Sequence, residues 1–144
     1  MNGVNRPPAG FEPHGRTSPF LDLIGPLYSR HTDAGLQFAL VIDKRHVNTR
    51  GSAHGGVLAA LADVALGYAT SDTQDPPVLL TTATLTIDFA GTVDEGEIVI
   101  ATVDVQRVGR RLAFANCYLH SNDRRVVRAS AVFANPGQPS DSSK

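Results

Sequence analysis

The sequence predicts an α+β domain: an antiparallel sheet wrapped around one long central helix at about residues 54–70. Three observations lead there. Between Val57 and Ala69 the single charged side chain is Asp63, and every other residue is apolar, Gly or Tyr. A helix that is apolar nearly all round is buried nearly all round. Beyond it the chain carries only strand patterns, rich in β-branched and aromatic residues and broken by turn residues. A helix lying on a flat sheet would keep half its surface wet and show a polar stripe. This one shows none, so the sheet is expected to curl round it.

Residues 1–18 hold Pro7, Pro8, Pro13, Gly3, Gly10 and Gly15 with few apolar anchors, which predicts a flexible arm, loose or ordered only by packing. Residues 20–24 form a short helical turn ended by Gly25-Pro26. Segments 28–32 and 36–42 read as strands around the turn Asp33-Ala34-Gly35. The long helix follows the breaker Gly51 and precedes a loop at 71–77. Thr81, Ala83, Leu85, Ile87 and Phe89 then alternate with Thr82, Thr84, Thr86 and Asp88, one apolar face and one polar. Segments 98–108, 112–120 and 126–133, with turns at Gly109-Arg110 and Asn122-Asp123, fit an antiparallel meander. A flexible tail rich in Pro, Ser and Gly at 135–144 leaves 19–134 as a single domain.

A chain of 144 residues, 42% apolar and 19% charged, has the size and composition of one globular domain. Its net charge is −1, and its 13 basic residues are spread along the chain. Nucleic-acid binding needs clustered Lys and Arg to displace counterions, so no nucleic-acid partner is expected. The lone cysteine, Cys117, permits no intrachain disulfide, and its place in a strand pattern marks it as core filler. No apolar run reaches the ~20 residues of a membrane span, and no signal-type apolar region opens the sequence. The expectation is a cytoplasmic protein with no membrane partner. Histidines 14, 31, 46, 54 and 120 lack metal-ligand spacing, and there is no Gly-x-Ser-x-Gly elbow, P-loop or dinucleotide fingerprint. No metal is expected.

Two features ask for chemistry. Asp63 is a carboxylate in an apolar helix, which costs several kcal/mol unless it is hydrogen-bonded, paired or protonated. It is either a functional group, a position that reaches solvent, or half of an inter-subunit ion pair. The run Gly51-Ser52-Ala53-His54-Gly55-Gly56 puts two glycines in a first helical turn, each costing up to about 1 kcal/mol relative to Ala. A tight loop-to-helix turn accounts for one of them. The functional alternative for the pair is close approach of a ligand to bare N–H groups at the positive end of the helix dipole. Such donors suit a thioester carbonyl oxygen as it becomes an oxyanion. His54 reads equally well as a plain helix cap.

His54 and Asp63 are nine residues apart, roughly 180° round a helix and roughly 13.5 Å along it. One chain does not easily bring them to one site. If both act, the site is composite, with the His54-Gly55 end from one subunit and Asp63 from another. Two such helices running antiparallel across a twofold axis would give two equal sites.

The pattern Asn48-x5-His54-Gly55-Gly56-x6-Asp63, followed by Thr81-Thr82-Ala83-Thr84-Leu85-Thr86-Ile87-Asp88-Phe89, resembles the hot-dog-fold acyl-CoA thioesterases of the PaaI-like group, over about residues 36–133. The resemblance implies a homodimer with two interface sites, and pairing of dimers into a homotetramer through sheet or helix faces. It implies hydrolysis of an acyl- or aryl-CoA to the free acid and CoA, with coenzyme A present as part of the substrate and no separate cofactor. Asp63 matches the carboxylate that acts as general base or as nucleophile. Gly55 matches the glycine whose N–H polarises the carbonyl, with Gly56 beside it at the substrate. Asn48 and His54 match side chains that orient the thioester and the water. Thr82, or Thr81 one position away, matches a hydroxyl that positions this water. Arg107, Arg110 and Arg111 lie at the turn that often meets coenzyme A and are candidates for its phosphates; solvated turn arginines are the plain alternative. Two other classes fit the same resemblance. A non-catalytic acyl-CoA-binding module would show stabilisation without turnover. A hot-dog enoyl-CoA hydratase is disfavoured by the Asn48-to-Asp63 spacing.

Overall fold

The computed structural model describes residues 6–136. Seven strands, β1 (Glu12–Pro13), β2 (Tyr28–Thr32), β3 (Gly35–Val41), β4 (Thr81–Phe89), β5 (Ile98–Val108), β6 (Leu112–Ser121) and β7 (Arg124–Ala134), form one sheet. Its order is β1-β2-β3-β5-β6-β7-β4, and every neighbouring pair is antiparallel. Strands β5, β6 and β7 are the predicted meander. A short helix α1 (Pro19–Ile24) precedes β2, and the long helix α2 (Gly55–Asp72) packs against the sheet.

Local sequence explains both helices. Ser18 caps α1, and Pro19 opens it, where a missing N–H costs little. Along α2, Leu58, Leu61, Ala62, Ala65, Leu66 and Ala69 are buried, the i, i+3, i+4, i+7 series of one helical face. They meet the inward side chains of the sheet, including Phe38, Leu40, Ala113, Ala115, Cys117 and Phe133. Alanines on both surfaces let the helix lie close to the strands.

The opposite side of α2 departs from the expectation of burial all round. Val57, Ala60, Asp63, Val64, Gly67 and Tyr68 are only half-buried. The chain's own sheet covers one side of the helix, and β4 beside it is an edge strand, bonded only to β7. An apolar surface is left that one chain does not cover.

Strand β4 also departs from strict alternation. Leu85, Ile87 and Phe89 pair with Ala131, Ala129 and Val127 and share their helix-facing side, while Thr84, Thr86 and Asp88 face outward, as predicted. A register shift between Thr82 and Thr84 makes Ala83 an extra residue. One inserted residue reverses the facing of everything before it. Thr82 therefore turns inward beside Phe133 instead of joining the outward threonines, and Thr81 turns outward beside Ala134.

The N-terminal segment lies along the β2 side of the sheet. Phe11 is buried with Tyr28 and Ala39 on the outer face, β1 pairs with β2, and the His14 N–H donates to Leu27 O at 2.9 Å. Residues 1–5 of the expected arm and 137–144 of the expected tail lie outside the described residues. Among the described residues no helix is long and apolar enough to cross a membrane.

Candidate active site

Asp63 sits half-buried on α2, and its Oδ1 accepts a hydrogen bond from Thr82 Oγ1 at 2.8 Å. That bond and partial solvent access offset the cost of a carboxylate on an apolar helix. The bulge in β4 makes the contact possible. It also selects Thr82 over Thr81, which lies on the far side of the strand. Asp63 and Thr82 open onto a pocket of about 240 Å³ whose walls include Val64, Tyr68, Leu80 and Phe133.

The start of α2 is built separately. In the turn before it, the buried His46 takes the Asp43 N–H on Nδ1 at 2.9 Å, so its Nε2–H points to Ile24 O at 2.7 Å. The His46 carbonyl then accepts the His54 N–H at 2.8 Å, which fixes where the helix begins. Asn48 Oδ1 accepts from the N–H groups of Arg50 (2.8 Å) and Ser52 (3.2 Å) and closes the intervening loop. Asn48 thus braces the approach to the helix.

His54 is the cap: its Nδ1 accepts the Gly56 N–H at 2.8 Å, which leaves the ring proton on Nε2. A Cβ on Gly56 would lie 3.0 Å from that Nδ1, so Gly56 lets the ring fold over the helix end. Gly55 differs. Its N–H has no hydrogen-bond partner among the described residues, and its Cα faces the Phe89 ring, which an added Cβ would meet at 3.4 Å. A cleft of about 410 Å³ opens at this end, lined by Phe20, Leu23, His54, Gly56 and Val57 among others.

Within one chain the residues therefore form two groups. Asp63 joins Thr82 near one end of β4, and His54, Gly55 and Gly56 join Phe89 near the other. They line different clefts. Arg107 lies on β5, and Arg110 and Arg111 are exposed in the β5–β6 turn. Leu112 and Thr81 both pair with Ala134, so this turn stands at the Thr82 end of the sheet. The three arginines form no ion pair among the described residues and line neither cleft.

Cys117 is buried, and desolvation pushes its thiol up to about 12, which suits core filling and not nucleophilic attack. Among the described residues no group of His, Cys, Asp and Glu could hold a metal ion. Sequence reasoning missed Phe89 and Tyr68 as site neighbours, and Arg16, which reaches the Asp63 pocket from the arm. Nothing in the spacing of these residues marks them.

Comparison with known proteins places the chain. Residues 50–128 match the family model described as Thioesterase superfamily. A Pseudomonas aeruginosa protein named "Putative esterase PA0474" is 46% identical over 131 residues, covering 90% of this chain and 97% of that protein. The E. coli PaaI protein, from the phenylacetic acid degradation operon, superposes with a TM-score of 0.74 at 20% identity, over 83% of this chain and 86% of its own. A hypothetical thioesterase protein of Streptococcus pneumoniae, solved with coenzyme A, gives a TM-score of 0.70 at 18% identity, over 79% of this chain and 91% of its own. At such identities the two structures speak to the fold alone. The family match over more than half the sequence and the near-full-length relative carry the assignment: this chain belongs to the thioesterase superfamily and has its hot-dog fold.

Proposed function

We propose that the protein is an acyl-CoA thioesterase whose sites are completed by a second copy of the chain. The observation that carries this is the division of the site along β4. Asp63 is tied to Thr82 near one end of the strand, and the free Gly55 N–H lies against Phe89 at the other. An exposed edge strand of nine residues invites pairing. Antiparallel pairing of β4 with β4 of a second copy, about a twofold axis, sets the Thr82 end of one against the Phe89 end of the other. Asp63 of one copy then approaches Gly55 of the other, twice per dimer. The same pairing covers the half-buried apolar side of α2.

The chemistry follows from the groups so joined. The thioester carbonyl oxygen accepts the Gly55 N–H at the positive end of α2, with the His54 Nε2–H as a neighbouring donor. Thr82 holds Asp63 Oδ1 and leaves Oδ2 for water. Water adds to the carbonyl carbon as Asp63 takes its proton, and the oxyanion forms against Gly55. The C–S bond breaks, the CoA thiolate takes up the proton, and the carboxylic acid remains. Arg107, Arg110 and Arg111 supply cations for CoA phosphates at the Thr82 end of the sheet.

Asp63→Asn tests the reading. It should abolish most thiol release from acyl-CoA while leaving the dimer and its melting intact. Thiol release at the wild-type rate would refute the mechanism. A wild-type protein that acyl-CoA stabilises but that releases no thiol would be a binding module instead.

A further inference from the structure

The pocket beside Asp63 does not end where the chemistry needs it to. Beyond the polar Asp63 and Thr82 its walls include the apolar Val64, Leu79, Leu80 and Phe133, and Arg16 stands over them from the N-terminal segment. The Arg16 guanidinium lies 5.3 Å from the Tyr68 ring centroid and makes no hydrogen bond or ion pair among the described residues. A second cleft of about 150 Å³ shares Arg16, Tyr68 and Ser71 with the first, so the two adjoin. His14 fixes this corner. Its ring packs edge-on against Phe38 (4.7 Å) and Tyr68 (4.8 Å), and its Nδ1 meets Ser29 Oγ at 3.0 Å. The segment carrying Arg16 is therefore anchored beside the pocket.

The helix gives the scale. From Asp63 to Gly67 and Ser71 is one to two turns, roughly 6–12 Å along the axis. A group held by its carbonyl at Asp63 would run along apolar walls and end near an unpaired cation. Resting on the thioesterase reading above, we infer that the acyl group carries a carboxylate at its far end and that Arg16 is the specificity-determining residue that receives it. A guanidinium on an aromatic face, with its donors free, suits a carboxylate well. The polyanionic nucleotide of coenzyme A does not suit an apolar passage of this size.

The test compares kcat/KM of the full chain for matched pairs: glutaryl-CoA against pentanoyl-CoA, and adipoyl-CoA against hexanoyl-CoA. The wild type should favour the carboxylate-ended member of a pair. Arg16→Ala should lower that preference about tenfold to a hundredfold, the effect of losing a charge-assisted hydrogen bond, and Arg16→Lys should restore part of it. Equal loss on both members, with the ratio unchanged, would place Arg16 on coenzyme A or in the fold and overturn the inference. A wild type without preference overturns it too. A wild type that releases thiol from phenylacetyl- or benzoyl-CoA but from none of the four overturns the subsite alone; one that releases thiol from none of the six refutes the thioesterase reading itself, and the subsite falls with it.

Discussion

Replacing Gly55 by proline removes one N–H, puts the ring Cδ where that hydrogen pointed, and leaves the helix start intact. Gly55 is the first residue of α2, where the fixed φ of proline suits a helix and its missing donor breaks no intrahelical bond. The preceding His54, at φ −63° and ψ 136°, already has the extended conformation that a residue before proline prefers. The new Cβ meets the Phe89 ring carbons at 3.4 Å, an ordinary contact. If this N–H stabilises the oxyanion, kcat should fall by at least about 10²–10³, the effect of removing one such donor, with the ring Cδ adding to it. The composite site adds a sharper test. In a dimer pairing Gly55→Pro with Asp63→Asn, one site inherits both lesions and the other inherits neither. Random mixing makes about half the dimers unlike, so co-refolded variants should recover about one quarter of wild-type activity in a thiol-release assay. Native mass spectrometry would count the mixed dimers. If they form and the mixture stays as inactive as its parents, the site is not shared between chains. Wild-type turnover by Gly55→Pro alone would remove this N–H from the mechanism.

Three further outcomes follow from the structure. Thr82→Val removes the 2.8 Å bond that orients Asp63; misplacing the base should lower kcat about tenfold to a hundredfold, while the melting transition moves little because the bond is exposed. An unchanged kcat would take Thr82 out of the site. Cys117, with its thiol at about 12, should resist a disulfide reagent in the native protein and react fully on unfolding; rapid native labelling would contradict its burial. The Glu97 carboxyl is held below its ordinary range by the Asp94 N–H, with Ser121 and Arg124 adding to it. Its contribution is therefore full above the ordinary carboxylate pKa and lost as pH falls through the lowered folded value. Glu97→Gln should cost about 1 kcal/mol near neutrality, narrowing below roughly pH 4 in urea melts. A gap that stays constant to lower pH would refute this assignment.

The fold was largely legible because its signals are local. A run of thirteen residues with one charge, Ala- and Leu-rich and too long for an ordinary strand, reads as a helix against an apolar surface, and α2 lies there, continuing two residues past the predicted end to its cap at Thr73. The strands of the meander follow from β-branched runs and turn residues, and their bounds moved by only a residue or two at most ends. The helix-start glycines were legible as an oddity. Their division of labour was not, because it depends on where the His54 ring and Phe89 stand.

Sequence by itself determined the helix, the strand set, the position of Asp63 opposite the His54 end, and the inability of one helix to join them. Those properties depend on period and spacing, which a linear pattern records. Tertiary structure decided the rest. The bulge at Ala83 turned Thr82 toward Asp63, and a strict two-residue period carries no mark of an inserted residue. The arm brought Arg16 to the helix, a contact between segments far apart in the chain. The sheet left one side of α2 half-buried, because strand order, which no local pattern encodes, put β4 at the edge.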